Sequence, residues 1–138
     1  KHRMDPVEEE EKLPELYSRS SIVIISLITS TVVGAILYAI NLNRLNRRKY
    51  IFPTILGAIL YQVLGARLSS NLSTNYEFVV YMGLNFTGAM LILGLWDMQI
   101  GRQINYRPRN TMNVFVIILV LVLILFGLNR LGVTSLPE

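Results

Sequence analysis

The chain has 138 residues, 52% of them hydrophobic and 16% charged, with 13 basic and 9 acidic residues and a formal net charge of +4. That charge content is well below the roughly 25% of soluble domains, so the expected solvent is lipid. With no cysteine and one histidine, His2 in the terminal tail, disulfides, thiolate metal sites and a histidine centre among the apolar segments are excluded.

Residues 1–18 form a polar tail whose acidic run, 8–11, lies between Pro6 and Pro14. It is too charged to fold alone and is expected to be solvated and partly helical. The chain begins with lysine rather than methionine, so a processed precursor or part of a longer protein is expected. No apolar run in residues 1–19 marks a signal sequence.

Four apolar segments follow, at residues 20–42, 50–68, 78–98 and 112–131. The first, at about 34 Å as a helix, is long enough to cross a 30 Å hydrocarbon core. Pro53 falls in the first turn of the second, where a missing N–H costs little. The third ends on Trp96 and Asp97, an aromatic anchor and a charge, and Pro108 interrupts the loop after it. The fourth contains the purest run, residues 113–128, with no charge. The expected fold is all-α: an integral membrane bundle of four antiparallel helices over 19–131, with a short tail at 132–138.

Arg44, Arg47, Arg48 and Lys49 crowd the first loop, and Arg102, Arg107 and Arg109 the third. Basic loops stay cytoplasmic and attract anionic headgroups. The expectation is therefore a plasma-membrane (inner-membrane) protein with loops one and three inside and both termini outside, Arg19, Arg67 and Arg130 being the border cations opposite. A nucleic-acid surface would need aromatics among the basic residues on one face, which are lacking.

Small residues recur along the first three segments: Ser26, Ser30 and Gly34, then Gly57, Ala58 and Gly65, then Gly83, Thr87 and Gly88. Such faces let backbones approach where lipid gives no hydrophobic drive, so they are read as helix-packing or partner-contact positions. The amides Asn41, Gln62 and Asn85 are costly against hydrocarbon; they are read as interhelical glue, or alternatively as a polar pathway converging with Thr87 on one hydrated cavity. Of the border charges, Arg67 is expected to snorkel and to pair with Glu77, and Asp97 to be neutralised by Arg47, Arg48 or Arg102. No paired carboxylates, metal-ligand cluster, phosphate loop or nucleophile elbow is visible, so no enzymatic activity, cofactor, metal or small-molecule substrate is expected.

Tyr17-Ser18, Gly34-Ala35-Ile36-Leu37 and Asn41-Leu42-Asn43-Arg44-Leu45, with Trp96, Ile100-Gly101 and Tyr106-Arg107 before the last span, resemble a broad group of small, largely uncharacterised bacterial multi-pass membrane proteins. The resemblance extends over most of the chain from Tyr17 onward. It implies the architecture and a bacterial source, and carries no catalytic or binding residue across. Asn46 stands where that group commonly has a glycine.

The function expected is a non-catalytic accessory subunit packing against a larger membrane complex, its partners being lipids and other membrane subunits. Two alternatives are a small oligomeric transporter or channel, and the membrane anchor or sensor part of a longer protein.

Overall fold

The structure, a computed structural model, describes residues 6–72 and 74–132. They form an all-α chain: α1 (Pro6–Glu11), α2 (Arg19–Ile28), α3 (Thr31–Arg44), α4 (Ile51–Ser69), α5 (Glu77–Gln99) and α6 (Met112–Arg130). Two short extended pieces, β1 (Glu15–Leu16) and β2 (Arg107–Pro108), pair in parallel. Three helical stretches are long and apolar enough to cross a membrane: Arg48–Ser69, Glu77–Gln99 and Met112–Arg130.

The expected first span is not one helix. An unbroken helix would hold Tyr17 and Asn41 about 36 Å apart. Instead the Asn41 side chain accepts from the Tyr17 N–H at 2.8 Å and donates to the Tyr17 carbonyl at 2.9 Å. The chain descends through α2, turns at Thr29 and Ser30, and returns through α3 to the end where it started. At roughly 15 and 21 Å, the two helices are too short to cross a 30 Å core separately.

The turn is built from hydroxyls. Thr29 Oγ1 donates to the Ile25 carbonyl at 2.6 Å and Thr29 leaves the helical region with ψ −86°, while Ser30 is fully extended. Ser30 Oγ then accepts from the Val33 N–H at 3.4 Å, which caps α3. Serine and threonine offer the backbone such local partners, and here they end one helix and begin the next. Ser26, Ser30 and Gly34 are consequently not a stripe on one helix face. Ser26 and Gly34 face each other across the hairpin, so closely that a Cβ on Gly34 would lie 1.8 Å from Ser26 Oγ.

α5 carries the hairpin on the face formed by Asn85, Gly88, Ala89, Ile92 and Trp96, all buried. Gly88 admits the hairpin's tip: a Cβ there would sit 2.1 Å from Thr31 Oγ1 and 2.8 Å from Thr31 Cβ. Tyr81, one face-repeat earlier, donates its hydroxyl to the Thr29 carbonyl. The tip thus reaches about the middle of α5. α4 packs beside both, through Thr54, Ala58 and Gly65. α6 buries none of its residues, and only Val114, Phe115 and Ile118 rest against the core.

Because the hairpin returns, residues 14–19 lie at the same end as the two basic loops rather than opposite them. β1 lies against β2 in the loop before α6, with the Arg107 N–H donating to the Pro14 carbonyl at 3.0 Å and the Arg109 N–H to that of Leu16 at 2.7 Å. Arg19, expected across the bilayer, instead meets Asp97 at 2.6 Å. At the end of α3, Asn46 has φ 57°, and the Asn46 and Arg47 N–H groups donate to the carbonyls of Asn43 and Leu42. That is a Schellman closure, and asparagine tolerates its left-handed position best after glycine.

Candidate functional site

The strongest concentration of side-chain chemistry is at the end where the tail, the α2 and α3 ends, α5 and the loops converge. Ser18 caps α2 by accepting from the Ser21 N–H at 3.1 Å. Its neighbour Tyr17 is held by Asn41, fully buried, so the amide acts as the clasp of the hairpin. Beneath the clasp, Trp96 lies 6.1 Å from the Tyr38 ring and 5.8 Å from that of Tyr106, and the Tyr38 hydroxyl donates to Gln99 at 2.9 Å. The residues Tyr17, Ser18, Asn41, Trp96 and Tyr106, far apart in sequence, are therefore parts of one assembly.

Two carboxylates organise the cations around it. Asp97 is bridged by Arg19 at 2.6 Å and Arg102 at 2.9 Å. Glu15 is bonded by Arg107 and flanked by Arg44 at 3.8 Å, whose guanidinium also donates to the Glu15 carbonyl at 3.0 Å. The hydrogen bond and charge of Arg107, aided by Arg44 and Arg109, hold the Glu15 carboxyl below its ordinary value near 4.5. Arg109 stacks 5.0 Å over the Tyr17 ring.

The basic residues that look equivalent in sequence divide accordingly. Arg19, Arg44, Arg102 and Arg107 are spent within the chain, whereas Arg47, Arg48 and Lys49 are exposed and meet no carboxylate among the described residues. Lys49 lies 4.8 Å over the Tyr50 ring. Asp97 takes Arg102 from the expected set, and Arg19 in place of Arg47 and Arg48. The expected Arg67–Glu77 pair does not form: both are exposed and no ion pair joins them among the described residues.

Deeper in, polar groups are left over. Ser26 Oγ, Thr31 Oγ1 and both amide atoms of Asn85 are buried with no hydrogen-bond partner among the described residues, as is Gln62 Oε1. Asn85 sits between Tyr81 and Gly88 on the face that receives the hairpin tip, the region where Thr31 also lies. Thr87, by contrast, is on the exposed side of α5 and donates to its own helix at Gly83. Gln62, Asn85 and Thr87 therefore do not share one cavity. Of the small residues, Gly65 meets the Leu84 side chain and Ala58 is buried, while Gly57 and Gly83 face open space.

One cavity of about 490 Å³ opens between α4 and α5. Pro53, Gly57, Ala58 and Tyr61 line one wall, Gly88, Leu91, Leu95 and Met98 the other, and Thr31 the floor. A shallower groove of about 380 Å³ runs down the other flank of α4, from Arg48 past Phe52 and Ile55 to Ile59. Among the described residues, no group of three or more His, Cys, Asp or Glu is placed to hold a metal. Sequence alone did not reveal the Tyr17–Asn41 clasp or the Glu15 strap; the only available signals were an amide at a helix end and one acid among several in the tail.

No family model, curated protein or solved structure matches the chain.

Proposed function

We propose that the chain is a non-catalytic subunit of the plasma membrane of a bacterial cell, which holds α6 in place for a larger membrane complex. One observation carries this reading. The loop into α6 is fixed by β1–β2 pairing and the Glu15–Arg107 ion pair, yet α6 itself buries nothing. A helix whose base is positioned so closely, while most of its length beyond Ile118 stays exposed, offers a long apolar face that a larger partner surface can cover by van der Waals packing. The basic end is cytoplasmic by the positive-inside rule, and the N-terminal strap with it.

Photo-crosslinkers at Val120 and Leu123, both exposed, test this in native membranes. A discrete protein adduct of defined mass is expected. Adducts to lipid alone at both positions would overturn it.

A second reading, a small oligomeric transporter or channel, draws on the Ser26, Thr31 and Asn85 groups that have no hydrogen-bond partner among the described residues, around the tip of the hairpin. Non-helical backbone at membrane depth is tolerated where it is buried in protein or lines a water-filled cavity. Solute flux in liposomes that is abolished by Asn85→Leu would favour it over the first.

A further inference from the structure

Arg48 and Lys49 are adjacent in the 3-10 turn Arg48–Tyr50 that leads into α4, and two apolar grooves flank that helix. Arg48 opens the shallower groove with Ile51, Phe52 and Ile55. Lys49 is the next residue of that turn, four positions before Pro53, which with Gly57 and Tyr61 lines the larger cavity against α5. Neither cation is neutralised within the described part of the chain, in contrast to those bound to Glu15 and Asp97. Two apolar grooves on either side of one helix, joined at the top by unpaired positive charge, match a ligand with two hydrocarbon chains and one anionic head.

We infer that this is a binding site for an anionic glycerophospholipid. One acyl chain lies in the α4–α5 cavity, the other along the Phe52 flank, and the phosphate sits between Arg48 and Lys49. The cavity's volume of about 490 Å³ lies within the range of roughly 300–1,000 Å³ common for small-molecule sites. Charge complementarity selects the occupant: a zwitterionic lipid offers the same chains but no net charge to offset two cations. Gly57 and Gly94 give the cavity its width, and a Cβ on either would meet nothing within 4 Å. The site is on α4, separate from α6, and does not depend on the assembly proposed above.

The test is native mass spectrometry of the full chain in mild detergent, supplied with phosphatidylglycerol or phosphatidylcholine of matched acyl chains. Retention of phosphatidylglycerol well above phosphatidylcholine is expected. Arg48→Gln with Lys49→Gln should reduce its retention roughly tenfold or more. Gly57→Leu, which fills the cavity, should reduce it with both cations intact, and Gly94→Leu repeats the test from the opposite wall. Equal retention of the two lipids would overturn the assignment. So would undiminished phosphatidylglycerol in both glycine variants, which would mean diffuse surface attraction. Loss of a dimer instead of a lipid in those variants would overturn it too, making the groove a contact between copies.

Discussion

The α2–α3 hairpin and α6 are both built mainly from Val, Ile, Leu and Ala, yet they stand in opposite relations to the rest of the chain. α2 buries three residues and α3 eight; α6 buries none. What separates them is small and polar atoms rather than hydrophobicity. The hairpin has Gly34 to bring its own arms together and Thr29 and Ser30 to turn the chain, and α5 supplies Gly88 to receive its tip. From Val114 to Leu128, α6 has only Gly127 to interrupt its large aliphatic and aromatic side chains. In lipid, large aliphatic side chains gain little by leaving solvent, so close approach and hydrogen bonding decide which helices pack.

The largest expected effect strikes the hairpin's clasp. Asn41→Leu removes both hydrogen bonds to Tyr17 and leaves its buried N–H and carbonyl without partners, at about 1–3 kcal/mol for each group. A clearly lowered thermal midpoint in detergent is expected, together with faster exchange of the Tyr17 amide; an unchanged midpoint would remove the hairpin from its place as the best-held unit.

A smaller effect is expected at the strap that joins the hairpin's end to the base of α6. Its Glu15 carboxyl is held below the ordinary carboxylate value, so its contribution is full above that value and disappears as pH falls through the lowered one. Protection factors of the Arg107 and Arg109 amides should therefore be high at neutral pH and fall only in acid below the ordinary carboxylate range. Glu15→Gln should show the acid level at every pH. Constant protection in the native chain would mean that backbone pairing alone holds the strap.

The smallest effect is expected on α6 itself. Leu123, 60% exposed, should tolerate Leu123→Ala with a change in stability within about 0.5 kcal/mol, as for surface positions away from packed features. A larger loss in detergent thermal unfolding would show that α6 packs on its own chain and would erase the contrast.

Three of the helices were legible in the sequence almost to the residue, since a long apolar run with few charges has few other uses. Residues 50–68, 78–98 and 112–131 were expected; Ile51–Ser69, Glu77–Gln99 and Met112–Arg130 are seen. The hairpin was not legible, because its two arms have the same apolar composition as one continuous span and differ from it only at Thr29 and Ser30. Single hydroxyls are tolerated inside membrane helices, so the cap they form here reads equally well as a stripe. That one turn also reversed the placement of Arg19 and the tail. The candidate site has the same limit: in sequence Asn41 reads as an intramembrane amide in need of a partner, but Tyr17 as that partner depends on the reversal.

The two closures at the polar end also differ in the span of chain they enclose. Tyr17 and Asn41 are 24 residues apart, Glu15 and Arg107 92. Ring-closure entropy grows with the logarithm of length, about 0.6 kcal/mol per doubling, so the wider ring costs roughly 1.2 kcal/mol more to shut. The narrower ring needs nothing beyond the first 41 residues, whereas the wider one must await synthesis of α4, α5 and the following loop. The clasp can thus close before the strap, which is tied only once Arg107 has been made.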